Sequence, residues 1–273
     1  MNMLVFIPAY NCAAHVVRTL AQFTPTVCQT LQTYGAHILV VNNRSTDTTA
    51  ADAARALAQV NLPSEVITNT ENYNLGGSHK VAFAYAQQHG FTHVAVLHGD
   101  DQGRITDLIH VLPQAAQTPT VSYLGARFMP GSKLQGYGLA RIGGNLGFNA
   151  LFSLATGRLL YDLGSGLNLF SLQGLAPLNM HRFGDNLMFN YYLILGICHL
   201  RLPYRFFPIS WREDDQVSNV KLWQHGRRTL ALLGQFVRGR TAFLQAEHRS
   251  TPHATYSWSS TAVPTSQAHR KAA

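Results

Sequence analysis

The sequence predicts an α/β protein with a mostly parallel sheet flanked by helices. Three observations predict it. Short apolar runs rich in Val, Ile and Leu alternate with alanine-bearing segments of helical pattern over the first 110 residues. The segments between the runs are long enough to cross over a sheet, which parallel pairing requires. Polar residues gather where the apolar runs stop, the position at which open α/β sheets carry their functional loops.

The elements follow in order. "MLVFIP" (3–8) is a strand stopped by Pro8, and residues 12–33 suit one helix. "HILVVNN" (37–43) is a second strand. "STDTTAADAARALAQ" (45–59) opens on capping residues and runs into alanines, a helix pattern. "EVITNT" (65–70) is a third strand, and "GSHKVAFAYAQQHG" (77–90) a helix closed by Gly90. "THVAVLHGD" (92–100) is the fourth strand. Beyond residue 120 the alternation weakens. "TVSYLGARF" (120–128) reads as a strand and "MPGSKLQGYG" (129–138) as a mobile Gly-rich loop. Residues 139–157 read as a helix broken near Gly143–Gly144, residues 183–196 as another helix, and 205–213 as a strand with Pro208 at an edge or bulge. Residues 220–247 are helical and basic. The Ser/Thr/Pro-rich tail from about 249 onward reads as disordered.

Composition bounds the class. The chain has 273 residues, 46% hydrophobic and only 12% charged, with a net charge of +8, which favours anionic partners. Cys12, Cys28 and Cys198 form neither a CxxC pair nor a zinc spacing, so a reducing cytoplasm is the expected compartment. No cationic flank precedes the first apolar run, which therefore does not read as a signal peptide. The longest apolar stretch, "LMFNYYLILGIC" (187–198), carries Asn190 and falls short of the ~20 residues of a membrane span. A dehydrogenase needs G-x-G-x-x-G after its first strand, and "PAYNCAAH" supplies none. The glycine-rich basic loop of a nucleotidyltransferase is also missing there. No nucleic-acid-binding motif accompanies the positive charge.

Three strand ends carry the polar clusters: "PAYN", "NNRSTD" and "HGDDQ". Taken singly, each is ordinary turn chemistry. Their joint placement points to one cleft. The order and spacing of "VFIPAYN", "VVNNRSTDTT", "NLGG" and "HGDDQ" over residues 4–110 resemble family 2 glycosyltransferases of the GT-A fold. Downstream, "GARF", Arg141 in "LARIGGN", "DLGSGLNLF" and "FPISWREDDQVSN" (207–219) resemble the polyprenyl-phosphate branch, the dolichyl-phosphate mannose or glucose synthases.

The resemblance implies an inverting, metal-dependent transfer of a sugar from a nucleotide-diphospho-sugar. It implies a nucleotide-contacting set of Pro8, Ala9, Tyr10, Asn42, Asn43, Asp47, Lys80, His98 and Gly99. Asp100 and Gln102 match the branch's ligands for Mg²⁺ or Mn²⁺. If the backbone stays extended, the two also point to one side. Arg127 and Arg141 match its anion-holding arginines, and Asp162, Ser165 and Gly166 its "DxxSG" loop. Asp185 matches the catalytic base of other family members; as a residue before a helix it is equally a dipole-favoured Asp. Asp162 stands as a second catalytic candidate or an orderer of its loop. Lys80 either reaches the diphosphate or lies at the surface, and Asp101 points away and caps the next helix. His98 ligates, bonds a sugar hydroxyl or orients water.

Three residues depart from the family pattern: Asn42 and His98 stand where Asp is usual, and Arg44 where Gly is usual. A non-catalytic nucleotide-sugar binder is therefore a rival. The expected acceptor is polyprenyl phosphate, in cell-envelope glycan synthesis, or else a glycan hydroxyl with Asp185 as base. The expected division is a catalytic domain over 1–219, with a nucleotide-sugar half to residue 110 and an acceptor half beyond. A basic amphipathic helix over 220–247 would offer peripheral attachment to the cytoplasmic membrane face, followed by the tail 248–273. Sugar, nucleotide and oligomeric state are not legible.

Overall fold

A computed structural model describes residues 1–213 and 222–261. The first half follows the predicted alternation. Strand β1 (Met3–Ala9) is followed by helices α1 (Ala13–Ala21) and α2 (Pro25–Gln32), then β2 (Ala36–Asn42), α3 (Thr49–Leu57), β3 (Ser64–Asn69), α4 (Asn74–Gln88) and β4 (His93–Leu97). The single helix expected over 12–33 is two. Pro25 cannot continue a helix but suits the first position of one, and the Thr24 hydroxyl accepts from the Val27 N–H to cap it.

The second half departs further. It runs α5 (Ile105–Ile109), α6 (Leu112–Gln117), β5 (Ser122–Ala126), β6 (Lys133–Gln135), α7 (Leu139–Thr156), β7 (Leu167–Ser171), α8 (Leu172–Leu175), a 3₁₀ turn (Met180–Arg182), α9 (Phe189–His199), β8 (Tyr204–Pro208), β9 (Ser210–Arg212), α10 (Leu222–Arg238), α11 (Arg240–Gln245) and β10 (Trp258–Thr261). The main sheet has the order β10-β3-β2-β1-β4-β7-β5-β8. Its pairs β3-β2, β2-β1, β1-β4 and β5-β8 are parallel, whereas β7 runs antiparallel between β4 and β5, and β10 antiparallel on the β3 edge.

Side chains alternate across the sheet with period two. Leu4 and Phe6 of β1 face a core shared with α4 and α9, while Met3, Val5 and Ile7 face a second core under α1, α2 and α3. The register aligns Ala9 with Asn42 and Phe6 with Val96, so the carboxyl ends of β1, β2 and β4 open on one edge.

Several expectations are corrected. The Gly-rich segment 129–138 contains β6, which pairs parallel with β9, and the strand expected over 205–213 divides into β8 and β9. Helix α7 is continuous through Gly143 and Gly144, where a Cβ would meet nothing within 4 Å. No neighbour forces a kink there. Helix α9 begins at Phe189, not at 183. The basic helix divides at Gly239 into α10 and α11, and its Leu233, Phe236 and Phe243 are buried in the core. Trp223, Leu230 and Val237 stay exposed.

The tail is ordered through residue 261, because β10 pairs with β3 and Tyr256 is buried. The readings for residues 214–221 and for 262–273 lie outside the described residues. Among the described residues, no helix is long and apolar enough to cross a membrane.

Candidate active site

A cavity of about 580 Å³ opens at the carboxyl ends of β1, β2 and β4. Its walls are Pro8, Ala9, Tyr10 and Cys12 at and just after the end of β1, Asn43 after β2, Asn72, Asn74, Leu75 and Ser78 around the start of α4, His98, Gly99 and Asp100 after β4, and Asn186 and Leu187 before α9. Seven of the residues predicted from sequence therefore share one wall: Pro8, Ala9, Tyr10, Asn43, His98, Gly99 and Asp100. Gly99 brings the loops close, with its N–H on the Pro8 carbonyl at 3.2 Å.

Buried amides build the β2–β3 side. The Asn43 Oδ1 accepts from the Tyr73 N–H and from Asn69 Nδ2, both at 2.9 Å, and its Nδ2 donates to Asn72 Oδ1 at 2.7 Å. Asn42 is engaged by its own loop and by β3, accepting from the Ser45 N–H at 3.1 Å and donating to the Thr68 hydroxyl at 3.2 Å. Asp47 accepts from the Thr49 N–H at 3.0 Å and the Ala13 N–H at 3.3 Å, which pins this loop to the start of α1. Burial raises its pKa, but these hydrogen bonds prevail and hold it below the usual range. Neither residue lines the cavity. Arg44 has φ of +58°, the left-handed region, which accounts for glycine in the family pattern.

The β4 end presents Asp100 beside His98, whose Nδ1 lies 3.9 Å from the carboxylate. Burial raises the Asp100 pKa to about 6. Burial, aided by the Arg127 charge, lowers that of His98 to about 4, so its imidazole is neutral near pH 7. The His98 Nε2 is buried without a hydrogen-bond partner. The Asp100 carboxylate on the cavity wall, with the neutral imidazole of His98 turning its Nδ1 toward it, is a donor set that fits a divalent cation; the His98 Nε2 is enclosed. Among the described residues, no group of three or more His, Cys, Asp or Glu side chains is assembled to hold a metal ion, so phosphate and water oxygens would complete the shell.

The expected extended path from Asp100 to Gln102 is not present. Asp101 has φ of +60°, the chain turns, and the Gln102 N–H donates back to Asp100 Oδ1 at 3.2 Å. The Gln102 side chain is buried and does not line the cavity. Asp101 does point away, as expected, but it pairs with Arg18 and Arg212 instead of capping a helix.

Lys80 neither reaches the cavity nor lies at the surface. Its three N–H donors are shared among four acceptors: the carbonyls of His181 (3.1 Å) and Phe183 (2.6 Å), Asp185 Oδ1 (2.6 Å) and the Tyr256 hydroxyl (3.0 Å). Tyr256 also donates to Asp185 Oδ1 at 2.7 Å. Burial pulls the Lys80 pKa down and its pairing with Asp185 opposes this. The Asp185 carbonyl accepts from the N–H groups of Gly76 (2.6 Å) and Gly77 (3.2 Å). A Cβ at Gly76 would lie 2.7 Å from the Gly184 carbonyl, so the "NLGG" glycines admit the chain's own backbone.

The remaining predicted residues form a second cluster. Arg127 grips Asp162 with two parallel hydrogen bonds of 2.8 Å from Nε and Nη2, and its main-chain N–H adds a third at 2.9 Å. Asp162 also accepts from the Gly164 N–H at 3.1 Å and thus orders its loop. The Ser165 hydroxyl donates to the Leu167 carbonyl at 3.0 Å. Arg141 pairs with Glu213 and stacks on Tyr137, with 4.9 Å from its guanidinium to the ring centroid. The Tyr137 hydroxyl in turn accepts from Arg127 at 3.4 Å. This cluster meets the cavity at Gly166, whose carbonyl accepts from the His98 N–H at 3.0 Å and where a Cβ would lie 2.7 Å from the His98 ring.

The Arg127–Asp162 fork yields a prediction. Arg127→Lys keeps the charge and loses one of the two parallel bonds, so unfolding free energy falls by about 1–3 kcal/mol. Thermal unfolding measures it, and an unchanged melting temperature would contradict a structural role for the fork.

Sequence reasoning missed Asn72, Asn74, Leu75, Ser78, Asn186 and Leu187. The signal for the first group was present: "ENYN" is a fourth polar cluster just after a strand, like the three already recognised. Asn186 and Leu187 carry no comparable pattern.

Residues 4–174 match the profile of the family described as Glycosyl transferase family 2. A search of curated proteins finds no match. Among solved structures, glucosyl-3-phosphoglycerate synthase from Mycobacterium tuberculosis, in complex with uridine diphosphate, superposes with a TM-score of 0.61 at 16% identity, covering 87% of this chain and 80% of that one. The same enzyme with Mn²⁺, UDP-glucose and glycerol 3-phosphate gives 0.60 at 13% identity, over 90% and 80% of the two chains. A mannosyltransferase from Pyrobaculum calidifontis with GDP-Man and Mn²⁺ gives 0.59 at 15% identity, over 87% and 64%. At these identities the likeness is one of fold.

Proposed function

The chain belongs to glycosyl transferase family 2, and from that premise we propose that it transfers a sugar from a nucleotide-diphospho-sugar to a polyprenyl phosphate, with inversion and with Mg²⁺ or Mn²⁺ bound at Asp100. The observation that carries the donor site is the convergence of three strand ends on one cavity with Asp100 and His98 on its wall. The neighbours solved with UDP-glucose and Mn²⁺ or GDP-Man and Mn²⁺ support the donor class. A divalent cation bound there would neutralise charge on the departing nucleoside diphosphate. In the transfer, an acceptor oxygen forms a bond to the anomeric carbon while the bond from that carbon to the diphosphate oxygen breaks.

The acceptor reading rests on Asp185. Its Oδ1 is held by Lys80 and Tyr256, and the residue does not line the cavity. An acceptor phosphate is already an anion at neutral pH and needs no general base, whereas a sugar hydroxyl does. Arg141, at the start of α7 and paired with Glu213, is the cation assigned to the acceptor phosphate in this reading. Peripheral membrane contact draws support from exposed apolar side chains on α7 and α10, with Leu139 86%, Leu154 84% and Trp223 78% exposed. Arg227, Arg228 and Arg238 lie on α10 among them.

Turnover of a panel of UDP- and GDP-sugars with undecaprenyl phosphate in the presence of Mn²⁺ tests the whole reading. Sugar release to water alone, with no lipid-linked product, would overturn the acceptor. Flotation with anionic liposomes tests attachment: the parent floats, and Leu139→Ser/Leu154→Ser/Trp223→Ser stays in the soluble fraction. An equal distribution of the two proteins removes the membrane contact.

A further inference from the structure

Asp101 sits next to Asp100 in sequence and takes no part in the cavity. Its φ of +60° lies in the left-handed region, unfavourable for a residue with a side chain. Such a conformation persists only where the surroundings determine it. Here they do. The buried Asp101 carboxylate accepts from Arg18 Nε at 3.1 Å, from Gln22 Nε2 at 3.0 Å and from Arg212. Arg18 is on α1, Gln22 caps it, and Arg212 belongs to β9.

The same two elements hold the loop that follows. Gln22 donates to the Gly103 carbonyl and accepts from the Ile105 N–H, both at 3.0 Å. The Arg212 N–H donates to the Gln102 carbonyl at 3.0 Å. Residues 101–105 are thus clamped from the side away from the cavity. A left-handed residue turns the chain so that consecutive side chains part: Asp100 goes to the cavity wall and Asp101 to the clamp.

We infer that Asp101 is the positioning residue of the cation site: its carboxylate, gripped by Arg18, Gln22 and Arg212, fixes the turn that presents Asp100 to the cavity. The inference rests on Asp100 as the cation ligand. Arg212 also ties this turn to β6 through β9, and β6 lies in the segment between the two arginines of the acceptor half. The turn is therefore held jointly by the nucleotide half, through α1, and by the acceptor half, through β9.

The test is calorimetric titration of the full chain with UDP, across a range of Mn²⁺ concentrations and in EDTA. Three variants are compared with the parent. Asp101→Asn keeps the shape and removes the charge. Asp101→Gly accepts the left-handed turn and removes the carboxylate. Arg18→Gln removes one donor from a side chain that is 41% exposed and so leaves the core intact. The expected result is a Mn²⁺ requirement raised about 10- to 100-fold in both Asp101 variants, the effect of losing a group that orients a metal ligand. Arg18→Gln gives a smaller rise in the same direction, and UDP binding in EDTA stays at the parent value throughout. Asp52→Asn, which disrupts an exposed helix pair with Arg55, leaves the requirement unchanged.

A parent that gains no UDP affinity from Mn²⁺ would overturn the cation site and this inference together. A parent that does gain it, with Asp101→Gly and Arg18→Gln both within twofold, would overturn the positioning role alone.

Discussion

Asp100→Ala is expected to lower metal-dependent turnover by about 10²–10³-fold, the loss seen when one preorganised electrostatic group is removed from a reacting centre. The fold should survive it. Asp100 lies on a loop after β4, and the clamp on that loop is made by Asp101, not by Asp100. Burial raises the Asp100 pKa to about 6. The sign follows directly: a carboxyl whose pKa is raised on folding disfavours the folded state at any pH where it is ionised. Its removal at neutral pH relieves that cost and loses the bond from the Gln102 N–H, so the melting temperature should stay close to the parent's. Turnover under saturating UDP- and GDP-sugars, with and without Mn²⁺, is the measurement. A folded Asp100→Ala enzyme working within about threefold of the parent would remove Asp100 from the chemistry.

The part of this site that sequence disclosed is the part made by local rules. Strands β1, β2 and β4 are runs rich in Val, Ile and Leu that end at Ala9, Asn42 and Leu97, and a parallel register places these strand ends on one edge. Asp100 follows from the same rule. Strand β7 was hidden because its sequence, "LNLFS", places Asn168 in the sheet. That side chain is tolerated because it accepts from the Gly125 N–H at 3.1 Å and donates to the Ser165 carbonyl at 2.8 Å, partners that sequence does not reveal.

Two further readings failed for a related reason. The turn at Asp101 contradicted the extended path because Arg18 and Arg212, 83 and 111 residues away, hold it. The tail looked unfoldable by composition, since Ser, Thr and Pro bury little apolar area. Tyr256 docks it through Asp185 and Lys80, and the strand that begins at Trp258 pairs on the β3 edge. Ser257 and Ser260 add hydrogen bonds to Thr70 and Glu65, so docking depends on which residues meet a partner, which composition averages away.

Lys80→Met is expected to destabilise the protein by about 3–5 kcal/mol, because it leaves Asp185 as a buried charge without its counter-ion. Lys80 is 6% exposed and Asp185 8%, so water cannot replace the missing partner. The loss also unties three segments at once. Lys80 on α4 is the common donor to the 181–183 turn, to Asp185 and to Tyr256 of the tail. Asn186 and Leu187, which line the cavity, follow Asp185 directly, so the donor KM should rise as stability falls. The double variant Lys80→Met/Asp185→Leu removes both charges and should recover the part of the loss that comes from the unpaired buried carboxylate, while the bonds to the 181–183 carbonyls and Tyr256 stay lost. Urea unfolding of the parent, the single variant and the double variant decides it. A single variant within 1 kcal/mol of the parent, or a double variant no better than the single, would show that the Lys80–Asp185 pair does not hold this side of the site together.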